Sequence, residues 1–388
     1  MSGGTRLLLV NAHGADQFAG GAEAYVAQLA DGFSARGLEV QVLAAFPSEP
    51  RGRRVITLHA THWRTNKIRR VKNHAGDVIS APTRRLADVV ARVAPDLVHT
   101  MNLPGISTAI WEVARRRRVP VVHTILDYQL LCPRVTLLQP DGTPCRPHPL
   151  LCGMRTRRLA RWAGAVSHVI GVSKFVLDVH AGFFPTATLE KIGLLAFPPQ
   201  RSIRPPGERL ATIGYLGALE HTKGVVQLLE AAPALRRLGV ALVLGGNGRL
   251  RAEVEAAAAR EPNVDYEGPL SGGEKDRFLE ACDAGILPSV WQEPGGPTMV
   301  ALEWLGAGRP LLLSARGGMK EVLPDLPGAV EVEPNAEAIA RAVEQLVAPD
   351  RWRDAVRRVR APNNDSDLER WLDKHERVYV TALEQARR

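Results

Sequence analysis

The stretch 288–322, PSVWQEPGGPTMVALEWLGAGRPLLLSARGGMKEV, constrains the fold of this chain more than any other. The apolar run 284–287 predicts a buried strand that breaks at Pro288-Ser289. A polar, glycine-rich turn follows, holding Glu293, Gly295 and Gly296. Pro297 suits a first helical position, where its missing N–H would have had no partner in any case, and 298–306 carries the helix onward with Glu303 on it. Gly308-Arg309-Pro310 stops that helix, and 311–314 is the next strand. The open amides of a helix start attract anions, and two carboxylates beside them can grip hydroxyls. That combination suits a phosphorylated sugar.

The same alternation runs along the rest of the chain. Residues 6–10 read as a buried strand, 22–36 as a helix with Tyr25, Val26, Leu29 and Phe33 on one side, and 40–44 as a second strand. Strand, glycine loop, helix, strand describes a βαβ unit with a parallel sheet. Gly20-Gly21 at the helix start would let a pyrophosphate approach the backbone, although many loops need glycine only to turn. No GxGxxG is present, which counts against a dinucleotide oxidoreductase.

The runs 95–99 and 119–123 read as successive parallel strands ending in polar groups. Ligands of open α/β sheets gather at the carboxyl ends of strands, so His99, Asn102, His123 and Asp127 are candidates, against the plainer reading of internal hydrogen bonding. Residues 169–173 form another strand.

The stretch 197–207 (FPPQRSIRPPG) carries four prolines and little hydrophobic pattern, which marks a domain boundary. Beyond it the alternation restarts, with strands at 211–216, 240–244 and 264–266 and helices at 223–238, 249–260 and 273–282. Lys223, at a helix start, is placed to neutralise a diphosphate; an ordinary surface lysine is the alternative. The sharp turn of Gly245, Gly246, Asn247 and Gly248 suits backbone contacts to a flat base. Residues 365–387 read as one amphipathic helix crossing back to the first half. The domains expected are 1–198, a linker at 199–209, a second α/β domain at 210–363 and the terminal helix at 364–388.

Composition excludes several classes. At 388 residues and 45% hydrophobic, the chain has room for two cores. No apolar run approaches the roughly 20 residues of a membrane span, and no secretory signal precedes the first strand. With four cysteines, a reducing cytoplasm is expected. Cys132, Cys145 and Cys152, with His148, lie in a Pro-rich loop without the short pairs that zinc favours, so no metal is expected. Residues 1–205 hold 27 Lys and Arg against 13 Asp and Glu, a net +14, while the remainder carries −5. The basic half calls for an anionic partner, and 61–75 (THWRTNKIRRVKNHA), basic with interleaved apolar residues, suits the surface of an anionic membrane or else an ordinary exposed helix. Nucleic acid is not expected, since aromatic residues make up only 5% and no RNA or DNA motif appears.

Taken together, GGAEAYVAQLADGFSARGLEV, PDLVHTMN, PVVHTILDYQLLCPR, VIGVS, YLGALEHTKG, the GGNG turn, LPSVWQEP and ALEWLGAGRPLLLSARGGMKEV resemble the retaining glycosyltransferases of family 4, nearly end to end. The resemblance implies an α/β GT-B fold: two Rossmann-like domains with parallel sheets facing a central cleft. It implies a nucleoside-diphosphate sugar, UDP- or GDP-linked, in the second domain and a hydroxyl acceptor against the first, a lipid-linked glycan or a small molecule. It implies Lys223 on the diphosphate, Glu303 on the ribose hydroxyls, Glu293 on the sugar, and Gly21 capping the phosphates. The donor-binding set is then Gly20, Gly21, Lys223, Gly246, Asn247, Gly295, Gly296, Thr298 and Glu303. Glu293 and Asp127 are the catalytic candidates, and His99, Asn102 and His123 lie on the acceptor side.

No cofactor is implied, because a lysine and helix-start amides can stabilise a leaving diphosphate without a metal. The protein is expected in the cytoplasm or at the inner face of the membrane. Three positions depart from the family pattern: Glu293 and Glu303 are spaced E-x9-E rather than E-x7-E, Ala218 stands where an arginine is usual, and Leu126 where a histidine is usual. These keep two other readings open, a non-catalytic partner protein and a sugar-nucleotide epimerase of the same fold.

Overall fold

The computed structural model describes residues 4–14, 21–46, 55–58, 83–139, 143–145, 149–193, 205–296, 298–359 and 364–388. Gly20, His148, Pro297, the basic segment 61–75 and most of the Pro-rich stretch lie outside the described residues. The chain divides into two compact units, Met1–Leu194 with Glu369–Arg388 and Leu195–Leu368.

The first unit begins with β1 (Arg6–Asn11), α1 (Gly21–Ala35), β2 (Glu39–Ala44) and β3 (Val55–Thr57). It continues through α2 (Arg84–Val93), β4 (Leu97–Thr100), α3 (Ala109–Arg116), β5 (Val121–Ile125) and α4 (Leu150–Ala160). It closes with β6 (His168–Gly171), α5 (Lys174–His180) and β7 (Thr188–Lys191). The strands lie in the order β3-β2-β1-β4-β5-β6-β7, all parallel. Leu7 to Val10 are fully buried, as a parallel strand covered by helices on both faces must be. The edge strand β7 is exposed along its length and carries no apolar alternation to announce it in sequence.

From Glu369 onward, the C-terminal helix Asn364–Arg387 belongs to this unit. Gly32 admits it, because a Cβ there would sit 2.5 Å from Leu372 Cδ1. Arg36 bonds Asp373 and Glu376 at 2.8 and 2.7 Å and also pairs with Glu369. Beneath lies a buried polar relay in which each group's partner decides who donates. The Trp371 carbonyl can only accept, so His375 Nδ1 donates to it at 2.8 Å, and His375 Nε2 accepts from Tyr25 Oη at 2.6 Å. Thr124 Oγ1, 3.4 Å from Tyr25 Oη, accepts from His99 Nε2 at 2.7 Å. His99 Nδ1 accepts from Tyr379 Oη at 2.6 Å. This ordering satisfies every member with neutral rings, which is what their burial demands.

The second unit holds β8 (Thr212–Leu216), α6 (Val225–Arg237), β9 (Ala241–Gly245), α7 (Arg251–Arg260), β10 (Val264–Gly268) and α8 (Gly272–Ala281). Then come β11 (Ala284–Leu287), α9 (Met299–Gly306), β12 (Leu311–Leu313), β13 (Ala329–Glu331), α10 (Ala336–Leu346) and α11 (Pro349–Arg358). Its sheet runs β10-β9-β8-β11-β12-β13, again all parallel. Alternate strand residues feed two cores. Leu242, Leu244 and Leu312 join Leu228, Val254, Ile339 and Trp352, while Leu311 and Leu313 join Phe278, Trp304 and Met319. Trp304 lies so close to the strands that a Cβ on Gly285 would fall 2.4 Å from its ring. Asp283 accepts the amides of Gly207, Ala211 and Thr212, each at 2.9 Å, and so ties the entry of this unit to its centre.

Among the described residues no helix is long and apolar enough to cross a membrane.

Burial pushes His99 well below the ordinary histidine value, His123 down to about 3 and His375 down to about 4. These rings stay neutral when folded, whereas the unfolded chain takes up protons below about pH 6.5. Stability is therefore complete above pH 6.5 and falls as acid is added, by up to about 1.4 kcal/mol per pH unit for each ring. Denaturant midpoints of the full chain should drop steadily from pH 7 to 4.5, and His375→Gln should make that slope shallower while lowering the midpoint at pH 7.

Candidate functional site

In the second unit the strand order reverses between β8 and β11, so the loops leaving their carboxyl ends part and open a crevice. The β8 loop brings Gly217, Ala218 and Lys223; the β11 loop brings Ser289, Glu293 and Thr298; β12 adds Ser314. Together with Tyr215 and apolar groups such as Leu287 and Met319 they line a pocket of about 550 Å3 of free space, its open mouth included.

Lys223 does not begin the helix expected over 223–238. It closes a short 3-10 turn, His221–Lys223, and Gly224 then turns at φ 74° into α6. No other residue fits there, since a Cβ on Gly224 would meet the Pro288 carbonyl oxygen at 1.8 Å. That approach places the two loops side by side, and the Val290 and Trp291 amides both donate to the Thr222 carbonyl at 3.0 and 3.1 Å. Lys223 Nζ consequently reaches Glu293 Oε1 at 2.6 Å and lies 4.9 Å from the centre of the Trp291 ring.

Glu293 is 5% exposed, so its carboxylate needs partners. Besides Lys223 it has Ser289 Oγ at 2.9 Å. Its backbone is clasped from the other side, where the Gly318 amide donates to the Glu293 carbonyl at 2.7 Å. Gly317 (φ 61°) permits this, because its Cβ would lie 2.4 Å from that carbonyl. Ser314 Oγ donates to the Ser289 carbonyl at 2.6 Å and fixes the turn from below. Tyr215 donates to the Ala218 carbonyl at 2.7 Å. Burial, with Glu293 nearby, pushes its phenol above the usual range, so Tyr215 is a neutral wall of the pocket.

The helix α9 starts one residue later than the expected 298. Thr298 is its N-cap and accepts from the Ala301 amide at 3.3 Å, while the Leu302 amide bonds the Thr298 carbonyl. Among the described residues outside the helix, the amides of Met299 and Val300 have no partner, the arrangement that draws anions to a helix start. Glu303, one turn on, does not line the pocket. It bonds Lys275 Nζ of α8 at 2.6 Å through Oε1, and its buried Oε2 has no partner among the described residues.

Other candidates take different places. Gly295 and Gly296 are buried behind the β11 loop, and a Cβ on Gly296 would strike Met319 and Val322 at 2.7 Å. Gly246 (φ 143°) is shaped by the β8 loop, since its Cβ would sit 1.8 Å from the Gly217 carbonyl oxygen. Asn247 is exposed, and its side chain accepts from the Gly248 amide at 2.9 Å. Neither residue lines the pocket. Gly21 opens α1 on the surface of the first unit.

The strands expected to end at His99 and His123 continue to Thr100 and Ile125, which corrects the acceptor-side reading of both histidines. They are interior strand residues, fully buried, with His99 in the relay above and His123 Nδ1 2.8 Å from Thr100 Oγ1. Asn102 and Asp127 do lie past strand ends. The Asp127 carboxylate accepts the Gln129 amide at 2.8 Å, and Asn102 takes the Gln129 side chain at 3.4 Å. Burial pushes the Asp127 carboxyl up to about 6, against the lowering effect of the Gln129 amide and Asn102.

The four cysteines are free thiols, and among the described residues no group of three or more His, Cys, Asp or Glu could hold a metal ion. Cys282 follows α8 rather than lying within it, and burial pushes its thiol up to about 12.

Sequence reasoning missed Lys275, Ser289 and the Gly317-Gly318 clasp. Ser289 carried a signal, since it directly follows a strand's carboxyl end. Lys275 carried none, lying in a polar helix without pattern.

Paired doubly wound parallel sheets with an anion-ready pocket at a strand-order reversal define the GT-B class, and solved members share the architecture. Sucrose-phosphate synthase from Thermosynechococcus elongatus superposes with a TM-score of 0.71 at 19% identity, over 97% of this chain and all of that one. Anabaena HepE in complex with UDP and glucose does so at 0.68 and 16%, over 97% of this chain and all of its own. Residues 19–189 match the Glycosyltransferase Family 4 model and residues 198–359 match Glycosyl transferases group 1. The chain belongs to the glycosyltransferases that carry both. A 42.6 kDa protein of the Klebsiella pneumoniae cps region is 27% identical over 81% of this chain and 86% of its own length.

The Gly224–Pro288 approach is testable against a matched control. Gly239 has nearly the same backbone (φ 72°) but open space around its Cα. In urea unfolding, Gly239→Ala should cost about 1–2 kcal/mol from backbone strain alone. Gly224→Ala should cost clearly more, because it also drives the two pocket loops apart.

Proposed function

We propose that this protein transfers a sugar from a nucleoside-diphosphate donor, UDP- or GDP-linked, to a hydroxyl of a lipid-linked glycan or small molecule, with retention at the anomeric carbon. The observation that carries this reading is the Lys223–Glu293 pair on the wall of a pocket at the strand-order reversal. A cation and a carboxylate held together there are each replaceable by part of one ligand. A diphosphate draws the ammonium away, and the released carboxylate accepts sugar hydroxyls.

In this reading Lys223 and the Met299 and Val300 amides face the diphosphate, and charge builds on it as the C1–O bond breaks. The acceptor oxygen bonds C1 on the face the diphosphate leaves, the C1–O electron pair goes with the leaving group, and the hydroxyl proton passes to the departing oxygen. Glu303, held by Lys275 just outside the pocket wall and with no partner for Oε2 among the described residues, accepts from the ribose hydroxyls. Asp127, whose carboxyl burial raises to about 6, is the acid–base candidate of the first unit for a proton that does not pass directly to the departing oxygen. Lys223 and the helix amides together supply the positive field, so no metal is called on. HepE, which shares the fold, is bound to UDP and glucose.

Thermal unfolding with UDP, GDP and dTDP in turn tests donor binding, since a ligand of the native state raises the midpoint. One of the three should do so, and a flat response to all would sink the donor assignment. With the matching sugar nucleotide, Lys223→Ala should lower kcat/KM by about 10²–10³-fold. Glu303→Ala should act mainly by raising the donor KM. Activity should survive EDTA, and the anomeric coupling in the product's proton spectrum should match that of the donor; an inverted product would overturn retention.

A further inference from the structure

Three of the four large hydrophobic side chains exposed among the described residues sit on one helix. In α4, Leu150 is 88% exposed, Leu151 79% and Met154 64%. At about 100° per residue, Leu150, Leu151, Met154, Arg157, Arg158 and Arg161 all fall within an arc of about 120°. The opposite side is the anchored one: Leu159 is buried there, and Thr156 Oγ1 donates to the carbonyls at Leu130 and Leu131, at 3.4 and 3.3 Å. The outward face thus carries apolar groups along its first turn and three arginines along its last. No aspartate or glutamate occurs between Asp141 and Asp178, and the Arg161 guanidinium lies 4.6 Å over the Trp162 ring.

We infer that this face of α4 docks the protein on an anionic lipid surface, with Leu150, Leu151 and Met154 entering the headgroup boundary and Arg157, Arg158 and Arg161 meeting lipid phosphates. An apolar strip alone would fit many partners; its continuation into a one-signed charge strip on the same arc selects a surface that is apolar within and negative without. A protein partner would need its own acidic rim beside an apolar patch, whereas a bilayer with acidic lipid offers both over any footprint. This surface belongs to the first unit and the donor pocket to the second, and it adds a place of work to the proposed transfer.

Sedimentation with vesicles of phosphatidylcholine containing phosphatidylglycerol, against phosphatidylcholine alone, tests it. The protein should pellet with the acidic vesicles and be released by salt. At about fivefold per arginine, Arg157→Ser with Arg158→Ser should weaken the partition about 25-fold. Leu151→Glu with Met154→Glu should abolish it, while thermal melts without nucleotide stay as in the parent because all four positions are exposed. No pelleting, pelleting indifferent to lipid charge, or pelleting unchanged in both variants would overturn the inference. So would a dimer in light scattering that Leu151→Glu with Met154→Glu dissolves, since the face would then be a contact between copies. The readout uses no nucleotide, so failure of the donor assignment leaves this test intact.

Discussion

The contact between Gly224 and the Pro288 carbonyl brings the two halves of the pocket together. Two loops leave the sheet on either side of the strand-order reversal, and packing them side by side requires a residue without a side chain. Once they meet, Lys223 and Glu293 are close enough to neutralise each other, and a 5% exposed carboxylate becomes tolerable. The Gly317-Gly318 clasp and the Ser314 hydroxyl hold the Glu293 turn from behind. The pocket is thus assembled from backbone approaches first and charges second, and its ion pair is both a structural element and the group a charged ligand would displace.

The first unit shows burial deciding the role of a polar residue. His99 and His123 carry an imidazole that could serve an acceptor, yet both rings face inward and are held neutral by desolvation. The relay from Tyr379 through His99, Thr124, Tyr25 and His375 to the Trp371 carbonyl satisfies each donor in one direction only. A chain of that kind rewards a unique seating of the C-terminal helix. Asp127 is the contrast: past a strand end, held by Gln129 and Asn102, its proton remains exchangeable near neutral pH.

Much of the fold was legible because parallel strands buried on both faces read as unbroken apolar runs, such as Leu7 to Val10 and Leu311 to Leu313. The exposed strand Thr188–Lys191 was not, because an edge residue needs no particular side chain to keep its backbone bonds. Strand ends were misplaced by one or two residues at His99 and His123, and that small error put two buried strand histidines at the mouth of the sheet. Within the pocket, Lys223, Glu293 and Thr298 were legible from position along the chain. Lys275 was not, since its pairing with Glu303 joins two helices whose facing surfaces no local pattern describes.

By itself the sequence determined the two α/β units and the loops that carry the charged groups, because hydrophobic period and the placing of glycine and proline act over a few residues. Tertiary structure alone decided which of those groups meet: Lys223 with Glu293, Lys275 with Glu303, His99 with Tyr379. It also decided that Leu150, Leu151 and Met154 on one face of the helix Leu150–Ala160 are exposed. Pairing and burial depend on residues tens to hundreds of positions apart, and no local signal records them.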